Sequence, residues 1–230
     1  LSSGQLVQQR AVTSGTTQVE QKPIRDWLDS LEYPLHCLDF ETMNPAVPLI
    51  DGTRPYQQIP FQFSLHIRDH KDATPRHVEF LAESSQDPRP TFLEAMQAIG
   101  PKGTVLAYNM GFEKRILREL AEDFPAYGAF VSDLDGRFMD LITPFSRFWY
   151  YDAKQRGSCS LKCTLPVLTG ITYEDMEISE GGQAMREYQR VVYGDVTASE
   201  RVRVLRGLQE YCQQDTAALL GILDALEALL

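Results

Sequence analysis

The sequence predicts an α/β layer fold: a mixed β-sheet flanked by helices, followed by a helical C-terminal half. Three observations carry that prediction. Residues 35–41, LHCLDFE, are apolar on both faces, as in a central strand covered on each side. Residues 60–67, PFQFSLHI, alternate cleanly, with Phe61, Phe63, Leu65 and Ile67 on one face and Gln62, Ser64 and His66 on the other. Beyond residue 138 the pattern turns helical, with apolar positions recurring every three or four residues in the last segment.

The elements follow in order. Residues 1–23 are rich in Gln, Ser and Thr, lack apolar periodicity and end at Pro23, so a mobile tail or linker is expected there, with a single domain over 24–230. IRDWLDSL reads as a short helix leading into the first strand. MNPAVPLIDGTRPYQQIP is a loop by its prolines and glycine, and PFQFSLHI is a half-buried strand antiparallel to the first. HVEFLA is a third strand, TFLEAMQAIG a helix, TVLAYN a fourth strand, and Gly111–Asp123 a helix with Phe112, Ile116 and Leu120 on one face. MDLITPF, SLKCTLPVL after a Ser160 cap, QAMREYQRVVY and one long segment from Ser199 read as helices. No internal repeat and no phosphate-cradling glycine loop is present.

A chain of 230 residues with 43% hydrophobic content can bury a full core. No run of 18 apolar residues and no signal-peptide pattern occurs, so a cytoplasmic protein without membrane partners is expected. The first residue is Leu1 rather than Met, which fits a piece of a longer parent chain whose further domains would be partners. Cys37, Cys159, Cys163 and Cys212 lack zinc spacing and read as reduced thiols. His36, His66, His70 and His77 likewise show no ligand spacing. The net charge of −10 argues against a general nucleic-acid coat but not against a nuclease, whose metal-binding acids themselves add negative charge.

Acids occur where apolar residues are expected. Leu205, Leu208, Cys212, Asp215, Leu219, Ile222, Leu226 and Leu229 fall on one helical face, with Asp215 in the middle of the seam and Tyr211 one turn before it. One reading is a coiled-coil seam whose polar residue sets register; the other packs the seam on the sheet and points Asp215 toward strand ends. Asp39 and Glu41, two apart, share one face of the first strand at its C-terminal end. Burying an unpaired carboxylate costs several kcal/mol, so such acids need a partner, often a cation. Glu113 opens the helix after the fourth strand, where the helix dipole alone would favour an acid. Asp140, in RFMDLITPF, offers a further acid for the same site, and against that reads as a cap or first-turn acid, the reading preferred here.

Taken together, these residues resemble the DEDD-type 3′-to-5′ exonucleases, tyrosine subgroup, of the ribonuclease H-like superfamily. Asp39 and Glu41, with Thr42 following, match the first motif, DxE. Asn109, Phe112 and Glu113 in NMGFE match the second, with Glu in place of the usual Asp, and Tyr211 and Asp215 match the third, YxxxD. DFET, RPYQQIPFQFSLH, YNMGFE and GSCSLK together also resemble a bacterial domain family of unknown function, over about residues 35–220. The resemblance implies a ribonuclease H-like fold and two Mg²⁺ or Mn²⁺ ions held by Asp39, Glu41, Glu113 and Asp215. Asp39 would bridge the ions, Glu41 and Asp215 would complete one site, and Tyr211 would orient the attacking water.

The residue types suit that chemistry: phosphodiester hydrolysis uses two divalent ions about 3.5–4 Å apart, and such ions prefer carboxylate oxygens. The extra methylene of Glu113 shifts its carboxylate and bears on the second ion. The stretch 145–162 carries five aromatics and four basic residues against one acid, suited to an entry lip for a single strand or equally to half-buried aromatics under a surface loop. Thr42, Met43, Asn109, Trp149, Arg156 and Lys162 are the candidate nucleic-acid contacts. The expected function is a metal-dependent exonuclease acting on single-stranded or frayed ends of DNA or RNA. The alternative is a catalytically impaired module of the same fold that binds nucleic acid or a protein partner.

Overall fold

The structure, a computed structural model, describes residues 1–230. Its elements are α1 (Ser3–Ser14), β1 (Gln18–Val19), α2 (Gln21–Leu28), β2 (Leu35–Met43), β3 (Ile59–Arg68), β4 (Arg76–Leu81), α3 (Arg89–Met96), β5 (Val105–Ala107), α4 (Gly111–Asp123), α5 (Gly128–Arg137), β6 (Phe138–Asp140), α6 (Thr143–Ser146), β7 (Tyr150–Tyr151), α7 (Leu161–Thr169), α8 (Gly181–Tyr193) and α9 (Ala198–Glu227). The main sheet runs β4-β3-β2-β5-β6. β2–β3 and β3–β4 pair antiparallel, β2–β5 and β5–β6 parallel, so the sheet is mixed, as the sequence predicts.

Two cores cover its two faces. Leu38, Phe40, Leu65, Ile67, Val105 and Ala107 pack against α3, α4 and α5. Leu35, Cys37, Leu106 and the seam of α9 pack with α7 and α8 on the other side. Burial on both faces explains why LHCLDFE shows no alternation. β6 was not expected: three residues, FMD, are too short to show a period, and their pairing with β5 makes the strand.

Phe61 also departs from expectation. The register skips it, with Glu41 opposite Gln62 but Thr42 opposite Pro60. This bulge inserts one residue into β3 and re-aims its side chain. Phe61 leaves the face of Phe63 and stacks on Tyr188 of α8, with centroids 3.7 Å apart. Nor is the polar face of β3 open to water, because α9 covers it. Gln62 Nε2 donates to the Leu208 carbonyl (2.8 Å), Ser64 Oγ and Thr216 Oγ1 share a hydrogen bond (2.6 Å), and Arg68 grips Asp224 through both guanidinium ends (2.6 and 3.0 Å). The seam of α9 therefore packs on the sheet and is not a coiled coil.

Residues 1–23 are not a detached tail. Ser2 and Gln5 form a capping box that starts α1, β1 pairs antiparallel with β7, and Thr17 Oγ1 donates to Asp152 Oδ2 (2.6 Å). Capping and backbone pairing need no apolar period, so the composition of the segment concealed them. No helix is long and apolar enough to cross a membrane, and all four cysteines are free thiols.

Candidate metal centre

β2 carries Asp39 and Glu41 toward α9, and α9 brings Asp215 to meet them. One carboxylate oxygen from each of the three lies within 4.8 Å of the others. Glu41 and Asp215 are buried. Gly181, the first residue of α8, lies against Glu41: a Cβ there would stand 3.5 Å from Glu41 Oε2. The partly positive N-terminal end of α8 thus abuts a carboxylate. The three acids border a cavity of about 920 Å³ that also includes Thr42, Asn109, Glu113, Lys162 and Tyr211.

Glu113 reaches this cavity from α4 but is not part of the close trio. It is 4% exposed, and its Oε2 has no hydrogen-bond partner. A buried carboxylate oxygen without a partner is costly and calls for an explanation, of which an ion is one. Asp140, at the end of β6, accepts from the backbone N–H groups of Asn109 (2.8 Å), Met110 (3.2 Å) and Ile142 (3.1 Å). It therefore caps the β5–α4 junction and holds Asn109 at φ 66°, which sets where α4 and Glu113 begin.

The acids perturb one another. Burial, then the charges of Asp215, Glu41 and Glu113, push the Asp39 carboxyl well above its usual range. Burial and Asp215 push Glu41 up to about 8, against the opposing pull of Lys162. Burial pushes Glu113 up to about 7, and pushes Asp215 up to about 6 against the Tyr173 hydroxyl, Lys162 and Tyr211. Oxygen-only donors, close spacing and an orphaned oxygen at Glu113 fit hard divalent cations.

Tyr173 escaped the sequence reading. Its hydroxyl donates to Asp215 Oδ1 at 2.6 Å, and its ring meets that of Tyr211 edge-on at 6.1 Å. It lies in the loop between α7 and α8, where no periodicity marks it. Removing its hydroxyl with Tyr173→Phe is expected to weaken Mn²⁺ binding about tenfold, as loss of a group orienting a metal ligand does. Calorimetric titration measures this, and unchanged affinity would leave Tyr173 a packing residue.

The candidate nucleic-acid contacts divide. Thr42, Asn109 and Lys162 line the cavity. Met43 does not: it is fully buried in the core beneath α9, because the strand points it inward. Trp149 packs against the same core, and its carbonyl accepts from Glu20 N–H (2.7 Å), so the segment expected as a tail covers it. Arg156 is exposed at φ 54° and lies beside the cavity lining at Gly157 without joining it. From Gly157 to Lys162, the GSCSLK stretch forms a wall of the cavity, tied to β5 where Tyr108 Oη donates to the Cys159 carbonyl (2.6 Å).

Fold and site define an α/β protein with a buried carboxylate cluster facing an open cavity. The chain belongs to the family described as a domain of unknown function (DUF2779), whose match covers residues 36–160. That span includes Asp39, Glu41 and Glu113 and stops short of Tyr211 and Asp215. The chain is also 22% identical over 209 residues to Uncharacterized protein UU173 of Ureaplasma parvum serovar 3, covering 80% of this chain and 30% of that protein. It thus spans under a third of that relative's length. No solved structure matches.

Proposed function

We propose that this chain is a metal-dependent 3′-to-5′ exonuclease of ribonuclease H-like fold, acting on single-stranded or frayed ends of DNA or RNA in the cytoplasm. The observation that carries the reading is the convergence of Asp39, Glu41 and Asp215, from distant parts of the sequence, within 4.8 Å at an open cavity. The mixed sheet with helices on both faces supports the fold. Asp39, Glu41 and Asp215 would hold one Mg²⁺ or Mn²⁺, and Asp39 with Glu113 a second. Two such ions, when bound, supply an activated water and offset charge on the leaving oxygen.

The chain's own residues do the rest. Tyr211, which lines the cavity one turn before Asp215, would orient the water. Tyr173 holds Asp215 in place through Oδ1. Thr42 and Asn109 line the approach for the strand end. Further domains of a longer parent protein would be the other partners, in keeping with the length of the Ureaplasma relative.

The test is stepwise shortening of a 5′-labelled oligonucleotide with Mn²⁺. Asp39→Ala is expected to lose about 10²–10³-fold of the rate, the scale on which removal of a key electrostatic group acts; equal rates would overturn the reading. The position of Glu113 outside the trio favours a second reading, a module that binds nucleic acid without cutting it. Oligonucleotide binding without hydrolysis under every metal condition would decide for it.

A further inference from the structure

Lys162 is the sole basic residue among those lining the cavity, where four carboxylates also stand: Asp39, Glu41, Glu113 and Asp215. It lies in the first turn of α7, at the end of GSCSLK. Its ammonium is held in three ways. It stands 5.4 Å from the ring centroid of Tyr173 and 5.3 Å from that of Tyr211, and it donates to the Ser179 carbonyl. The two rings are those that flank Asp215. Cation–ring contacts of this kind fix a charge in place without neutralising it. An ammonium carries three donors, and the Ser179 carbonyl takes one. Lys162 forms no ion pair with the acids it faces, so two donors and a full positive charge remain.

The charges then add up in a specific way. Two divalent ions, when bound, would offset the charge of four ionised carboxylates. Lys162 leaves the loaded cavity one positive charge in excess, which matches the single negative charge of one phosphodiester. Beside it, Ser160 stands at the N-cap position of α7 without making a side-chain cap bond, and both Ser160 and Leu161 line the cavity. Uncapped first-turn N–H groups next to a fixed ammonium suit an anion.

We propose that Lys162 is the phosphate anchor of this cavity: its ammonium, held by Tyr173, Tyr211 and the Ser179 carbonyl, binds a non-bridging oxygen of the substrate's phosphate beside the acid cluster. The proposal rests on the nuclease reading for its substrate, a nucleic-acid strand, while the phosphate chemistry is shared with free phosphate. It gives GSCSLK its task, which is to carry a cation into an acidic chamber on a short, braced wall.

The test compares the full chain with Lys162→Gln, using a fluorescein-labelled ten-residue oligothymidylate in Ca²⁺ and, separately, inorganic phosphate titrated into Mn²⁺-loaded protein. Lys162→Gln is expected to bind the oligonucleotide about tenfold more weakly, with the slope of log affinity against log salt reduced by about 0.7, the contribution of one single-strand phosphate contact. Lys162→Arg, which keeps the charge, restores most of the affinity, and Mn²⁺ binding without oligonucleotide is retained in both variants. Unchanged oligonucleotide affinity and slope in Lys162→Gln overturn the anchor and leave the nuclease reading standing. If wild type ignores the oligonucleotide but binds phosphate in a Lys162-dependent way, the anchor stands and the nuclease reading falls. If wild type binds neither ligand, both fall. If Lys162→Gln loses its circular dichroism signature or its Mn²⁺ binding, Lys162 is a structural residue and the anchor is overturned.

Discussion

Asp39→Asn is expected to make the metal-free protein more stable and at the same time to abolish its response to metal. Asp39 feels the charges of Asp215, Glu41 and Glu113, all of which push its carboxyl upward, so the ionised cluster repels itself. Asparagine keeps the shape and removes the ionisable group on which those three charges converge. Wild type should gain on the order of 3 kcal/mol from Mn²⁺ at one hundred times its dissociation constant, the linkage expected for a ligand that binds only the folded state. The variant should gain almost none. Melting curves at pH 8, with chelator and with Mn²⁺, read both effects. A variant that melts lower than wild type in chelator and keeps its Mn²⁺ shift would show that Asp39 is an ordinary polar contact.

A second large effect is the dependence of metal-free stability on pH. Glu41 is pushed up to about 8 and Glu113 up to about 7, so the folded state keeps protons that the unfolded chain releases near its ordinary carboxylate range. For a group raised in this way stability is full at low pH and is lost as pH climbs through the folded-state value. Histidines act oppositely at lower pH: burial holds His36 and His66 down to about 4 from 6.5, so their contribution is lost as pH falls below 6.5. The two effects offset each other between about 4 and 6.5. From 6.5 to 8 only the acids act, and metal-free protein should lose on the order of 2 kcal/mol over that window. For a chain of this size that corresponds to a fall of about 5 °C in melting temperature. Mn²⁺ should reverse the trend, because deprotonated acids bind it better. A metal-free melting temperature that rises from pH 6.5 to 8 would overturn this account of the cluster.

The parts of the site carried by regular elements were legible in the sequence. Asp39 and Glu41 share a face because strands repeat every two residues, and Asp215 stood out because a helical seam makes any acid in it conspicuous. Glu113 was placed by the strand-to-helix junction before it, yet its separation from the trio depends on side-chain reach, which spacing does not encode. What escaped was set by contacts without a period. Tyr173 reaches Asp215 from a loop, β6 exists only because β5 is beside it, and residues 1–23 dock through caps and backbone pairing. Met43 and Trp149 were misplaced because neither position follows from spacing or composition: Met43, at the end of the acid-bearing strand, is fully buried, and Trp149, in the aromatic and basic stretch, packs half-buried against the same core.

The bulge at Phe61 has a practical meaning for anyone altering this protein. It divides the buried side chains of β3 between the two cores. Phe63, Leu65 and Ile67 belong to the foundation formed with α3, whereas Ile59 and Phe61 belong to the layer that carries the acid-bearing helix. Phe40 belongs to the foundation and also lines the chamber, and α4 carries Glu113 on that side, so redesign of the foundation is felt in the chamber through those two places, while any change that straightens the strand at Phe61 would reach both layers at once.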